Sequence, residues 1–135
     1  MKNKYDSYIT QIASGCILLS VARADEIIEE KELNTICDIL CDFFSISKTE
    51  ALKILTESKK KLNNSIDLFG FGQHLNETFD HSDKLDFIGC IFEIAYSDGA
   101  LHYLEHHTIK KIANILNLSR KEIINSKQEI ENFYK

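Results

Sequence analysis

The chain lacks proline entirely and has only five glycines in 135 residues. Sandwiches and barrels need a turn every dozen residues or so, and such turns draw on both residue types. Their scarcity points away from an all-β fold and toward long helices. A membrane span is also missing, since no segment reaches the ~18 uninterrupted apolar residues it requires. The best candidate, Ile12 to Val21, is broken by Ser14, Gly15, Cys16 and Ser20 and then meets Arg23 and Asp25. It has neither the clean apolar core nor the cleavage site of a signal peptide, and reads as a buried helix of a cytoplasmic protein. Basic excess is absent too. A net charge of −5 argues against sequence-independent nucleic-acid binding, which needs a positive face. The four cysteines, Cys16, Cys37, Cys41 and Cys90, form no CxxC pair, which leaves out a zinc ribbon or thioredoxin-type site. Cys37 and Cys41 share a helix face at a spacing of four. Free cysteine nevertheless behaves as a small buried hydrophobe, and all four fall in apolar helical stretches.

What is present is a core-forming content of 44% apolar residues, too high for a disordered chain. The apolar positions repeat with helical spacing. Tyr5, Tyr8, Ile12, Cys16, Leu19 and Ala22 predict a first helix over about 5–23. Leu33, Ile36, Ile39, Leu40 and Phe43 predict a second from about Glu29. Ser47 and Glu50 form a capping box, as do Ser119 and Glu122. In each, the hydroxyl and the carboxylate satisfy free amides at a helix start. They open a third helix over about 48–62, with Lys59, Lys60 and Lys61 at its negative end, and a last one to about Phe133. A fourth helix over about 65–79 presents Ile66, Phe69, Leu75 and Phe79 to the core. Gly70 and Gly72 within it allow a close helix crossing. Ser82 caps a fifth helix over about 83–97, and a sixth covers about 101–116. With no linker to divide them, residues 1–135 are expected to form a single compact all-α bundle of about seven helices.

The two halves resemble each other. Shifting the first by 73 positions places Gly15–Phe43 over Ile88–Leu116. Identical residues then meet at Ala22/Ala95, Asp25/Asp98, Glu32/Glu105, Thr35/Thr108, Ile36/Ile109 and Ile39/Ile112. After one extra residue in the first half the shift becomes 72, and the capping boxes coincide. Two helical hairpins related by a pseudo-twofold axis, with the fourth helix bridging them, would produce this pattern. Matched core positions follow from shared packing. The matched acids, Asp25 with Glu32 and Asp98 with Glu105, are expected outside the core. One acid per turn is explained by capping and the helix dipole; the repeated spacing of seven is explained less well.

Ala95-Tyr96-Ser97-Asp98-Gly99-Ala100-Leu101, followed by Glu105, resembles the Ala-x-x-Asp-Gly-x-aliphatic-x-x-x-Glu signature of TerB-like proteins. That family includes the tellurite-resistance protein TerB and a domain of DjlA-type co-chaperones. Ala22 to Ile28, followed by Glu32, resembles a first copy of the signature. Glu26 stands where the family usually has Gly, so the first turn is expected to differ in shape from the second. The co-chaperone His-Pro-Asp motif has no place in a chain without proline. The resemblance runs from about Tyr8 to Ile124. It implies a seven-helix fold and an acidic face that binds a metal or a protein partner in stress or toxic-anion responses.

Four carboxylates converging where two hairpins meet would repel one another until a cation or a basic partner intervened. Oxygen ligands suit Ca²⁺ or Mg²⁺, and His102 and His106, four apart beside Asp98, would extend the choice to Zn²⁺. The candidate metal set is therefore Asp25, Glu32, Asp98, Glu105, His102 and His106. No nucleophile elbow and no HExxH motif is present, so the expectation is a non-enzymatic module that binds a divalent cation, a protein partner, or both. The alternatives are a metal-dependent hydrolase using the same acids, and a structural module holding a helix in an apolar groove near Gly70 and Gly72.

Overall fold

The computed structural model describes residues 8–22, 30–64, 68–96 and 103–133. They form seven helices: α1 (Tyr8–Ala22), α2 (Glu30–Phe44), α3 (Lys48–Asn64), α4 (Leu68–Thr78), α5 (His81–Ala95), α6 (Tyr103–Ile115) and α7 (Arg120–Phe133). No strand occurs among the described residues, and no described helix is long and apolar enough to cross a membrane.

α1 is apolar all round, and a helix with no polar face must be buried on every side. It lies at the centre of the bundle, with Cys16 through Leu19 and Val21 and Ala22 fully enclosed. Its serine hydroxyls are satisfied locally: Ser14 Oγ donates to the Thr10 carbonyl at 2.9 Å and Ser20 Oγ to the Ile17 carbonyl at 2.7 Å. Helices α2, α3, α4, α5 and α6 all pack against it. The buried side chains form one cluster that also takes in Ile36, Leu40, Ile54, Leu75, Ile88, Ile91, Ile109 and Ile112. Four phenylalanines close its lower end. Phe43 stacks edge-on to Phe44 and Phe87 and is tilted against Phe79, with ring centroids 5.0–5.6 Å apart.

The internal repeat is visible in the packing. α1 holds α2 and α3 as α5 holds α6 and α7. Across the halves α1 meets α6, α2 meets α5, and α1 meets α5; exchanging the halves maps this set onto itself, as a twofold axis between α1 and α5 requires. α4 packs on α1 and on α6 and so bridges the halves. The backbone repeats as well. Ser45 and Asn117, 72 positions apart, are the two described non-glycine residues with positive φ, at 54° and 60°. Each closes a helix with a bond from the following amide back to a carbonyl five residues earlier: Ile46 to Cys41 at 3.1 Å and Leu118 to Ala113 at 3.0 Å. This is the Schellman arrangement. The capping boxes follow two residues later. The Ser47 amide meets Glu50 Oε1 at 3.4 Å, and the Ser119 amide meets Glu122 Oε1 at 2.8 Å.

Three local expectations are corrected. Ser82 does not cap α5; Asp80 does, taking the Asp83 amide at 2.8 Å, while Asp83 takes the Asp80 amide at 3.3 Å. A carboxylate two residues earlier accepts the free amide and starts the helix two residues sooner. Phe69 is not a core residue but 61% exposed, and Tyr8 is 54% exposed. Both lie in the first turn of their helices, where the chain has not yet entered the bundle. Ile66 and Tyr5 lie outside the described residues.

Candidate acidic cleft

Of the six expected metal-site residues, Asp25, Asp98 and His102 lie outside the described residues, as does the side chain of Glu105 on α6. Glu32 and His106 can be placed. Glu32 was expected off the core and is 6% exposed instead. It precedes the fully buried Ile36 by four residues, so helical geometry turns it to the same inward face. Its position in the first turn of α2 puts the carboxylate beside free amides and the positive end of the helix dipole. His106 is half-buried on α6, and burial pushes its pKa down, helped by the charges of Lys127 and Lys110. That favours neutral imidazole, the form that ligates metals. Among the described residues no group of three or more His, Cys, Asp or Glu could hold a metal ion. All four cysteines are free, with Cys16 and Cys37 buried.

Gly72, expected to permit a helix crossing, does so. A Cβ there would come 2.7 Å from Ile115 Cγ2, so α4 and α6 meet backbone to side chain at this point. That face is already filled by the protein's own α6.

The described residues bring together a different set of acids. A cleft of about 840 Å³ opens beside α2 and α5, lined by Asp42 on α2, Glu50 at the start of α3, and Asp83, Asp86 and Glu93 on α5. Asp83, Asp86, Cys90 and Glu93 follow spacings of three, four and three, which align them along one face of α5. Ile39 and Phe44 contribute an apolar floor. Glu50 and Asp83 are engaged in capping boxes. Among the described residues, Asp42, Asp86 and Glu93 form no ion pair and no lysine or arginine lines the cleft. The electrostatic strain is visible in the neighbours. Burial, reinforced by the Asp42 charge, raises the pKa of Glu93. Burial pushes the Cys90 thiol up to about 12, with Glu93, Asp86 and Asp42 adding to the shift. Three carboxylates from two helices thus act on one thiol. The α5 stripe was legible in the spacing of Asp83, Asp86 and Glu93. Its confrontation with Asp42 depends on how α2 packs against α5.

The geometry defines a class: a duplicated three-helix unit around a central apolar helix, with one bridging helix. A family model described as Tellurite resistance protein TerB matches residues 11–128. The chain belongs to the TerB family. No curated protein and no solved structure matches it.

Proposed function

We propose that this protein is a non-enzymatic TerB-family module that binds a basic segment of a protein partner in the cleft between α2 and α5. The supporting observation is the lining: Asp42, Asp86 and Glu93 share one concave surface with no lysine or arginine among the described residues that line it. Carboxylates held together in this way lose their mutual repulsion when a cation enters. The apolar floor suits the aliphatic stems of lysine or arginine, which bury their methylenes and leave the charge at the tip. A cleft lined along two helices fits an extended chain better than a point charge.

The reading has a second part. The turn acids Asp25, Glu32, Asp98 and Glu105, with His102 and His106, hold a divalent cation: Ca²⁺ or Mg²⁺ through oxygen, or Zn²⁺ if the histidines take part. This part rests on the doubled signature and on the chemistry of the donor set. The description of the matching family, Tellurite resistance protein TerB, supports a role in stress or tellurite-type resistance, and the acidic, apolar-cored chain suits the cytoplasm.

The parts are tested separately. A fluorescent lysine-rich peptide should bind the protein and release with added salt, while a glutamate-rich peptide should not bind. Asp42→Asn with Asp86→Asn should weaken binding roughly tenfold, the effect expected for losing charge-assisted contacts. Equal binding of both peptides would reject the cleft. Calorimetry with Ca²⁺, Mg²⁺, Mn²⁺ and Zn²⁺, on the parent and on Asp25→Ala with Asp98→Ala, tests the metal. Absence of heat from every ion removes that part and leaves the cleft standing.

A further inference from the structure

A second cavity lies beside α3 and α4, farther round the first turns of α1, and Tyr8 lines both cavities. α3 and α4 follow each other in sequence, yet each packs chiefly on α1. They diverge over its first two turns and leave a crevice of about 370 Å³. Ile12 and Ala13, 5% and 3% exposed, form the floor. Ile9, 68% exposed, stands at the mouth, and Phe71 of α4 forms a wall. A side chain as apolar as Ile9 is unfavourable in water and gains by being covered.

The polar groups of this crevice are few and unequal. Glu57 lines it, but its carboxylate is 3.6 Å from Lys60 Nζ on the same helix. His74 is held by a 3.0 Å hydrogen bond to the hydroxyl of the buried Thr10. Lys61 forms no ion pair among the described residues. Its charge is felt inside the bundle: burial pushes the Cys16 thiol up to about 11, and Lys61, with a Ser58 hydrogen bond, opposes the shift. Among the described residues, the crevice is therefore an apolar slot with one ammonium at its edge that no carboxylate pairs. Small-molecule sites commonly have this form, an apolar lining of a few hundred Å³ with one or two oriented polar groups.

We propose that this crevice binds a small amphiphilic carboxylate, its aliphatic body lying on Ile12, Ala13 and Phe71 and its carboxylate meeting Lys61. The size and partial enclosure favour a free molecule over a membrane surface, which would need a broad face. The charge favours an anionic head over a neutral or cationic one. This site is separate from the acidic cleft, which selects the opposite charge, so either can fail without the other.

Octanoate, octanol and octylamine share one chain and differ in the head, which makes them suitable probes. Titration of the full chain, followed by calorimetry and by NMR shifts of the Ile12 and Ala13 methyls, should rank octanoate first and octylamine last. Lys61→Gln, a substitution at an exposed helical position, should weaken octanoate roughly tenfold, the value of one charge-assisted contact, and leave octanol unchanged. Preference for octanoate that survives Lys61→Gln would overturn the assignment, as would equal binding of octylamine. Shifts at neither methyl, or binding only to anionic phospholipid vesicles, would also overturn it.

Discussion

The two halves of the bundle carry the same plan and put it to different use. In the first, α1 is buried from Thr10 to Leu19 and again at Val21 and Ala22; in the second, α5 buries Phe87, Ile88, Ile91, Phe92, Ile94 and Ala95 and turns Asp83, Asp86 and Glu93 to a cleft. The cause is α4, which packs on α1 and has no counterpart on α5 among the described helices. A helix covered from five directions has no room for charge, whereas one covered on part of its surface can keep an acidic stripe. The glycines show the same division. A Cβ at Gly15 would collide with Ser58 Oγ, which reaches the Ile12 carbonyl of α1 as well as the Ile54 carbonyl of its own helix. A Cβ at Gly89 would meet nothing within 4 Å. Duplication thus preserved the hairpin and its turns, and packing around each first helix made one central and the other peripheral.

The largest test of this comparison is truncation at the matched cores. Ile36 and Ile109 are both fully buried, and Ile36→Ala and Ile109→Ala should each cost about 2–5 kcal/mol, as aliphatic truncations in a close-packed core do. Urea unfolding with losses below 1 kcal/mol at both sites would refute the equivalence. The glycines should then respond with opposite signs. Gly15→Ala overpacks the α1–α3 seam and should lose about 1–3 kcal/mol. Gly89→Ala, in open space within a helix, should gain about 0.5–1 kcal/mol from its better helix propensity. Thermal melts that move both variants the same way would break the distinction.

Smaller effects are expected at the matched left-handed turns. Ser45→Gly removes the crowding of a Cβ at φ 54° and should gain up to about 1 kcal/mol. Asn117→Gly should gain less, because asparagine tolerates this conformation better than serine. Equal gains would mean that the two turns carry equal strain. The smallest test concerns pH. The pKa of Glu93 is raised by burial and by Asp42. At pH below the ordinary carboxylate range both the folded and unfolded states hold its proton, and the group exerts no penalty. As pH rises through the elevated folded value, the folded state must carry an ion the unfolded chain hydrates better, and stability falls. Glu93→Gln should therefore be more stable than the parent at neutral pH, with the difference vanishing in acid. A difference that grows on acidification would reverse the sign of this account.

Much of the fold was readable before any coordinates. Helical spacing located seven helices, and the Ser47–Glu50 and Ser119–Glu122 boxes fixed two starts, since capping depends only on residues three apart. The repeat was equally local: identical residues at a constant shift need no tertiary information. The readings that failed required knowledge of neighbours. Glu32 has the residue type of a surface acid, and only the inward facing of Ile36 one turn later turns it into the core. Phe69 has the type of a core residue and stays 61% exposed among the described residues. Of the expected metal set, the sequence identified equivalent positions, but the cleft that the described residues form uses other acids, because carboxylates from α2 and α5 meet through packing between halves.

By itself the sequence determined the helices, their caps and their duplication, because each arises from interactions within a few residues along one chain. Tertiary structure alone decided that α1 rather than α5 sits at the centre, that Asp42 faces Asp86 and Glu93, and that α3 and α4 part over Ile12 and Ala13. Those outcomes depend on which helix faces meet, and burial and electrostatic repulsion act between residues that no local pattern brings together.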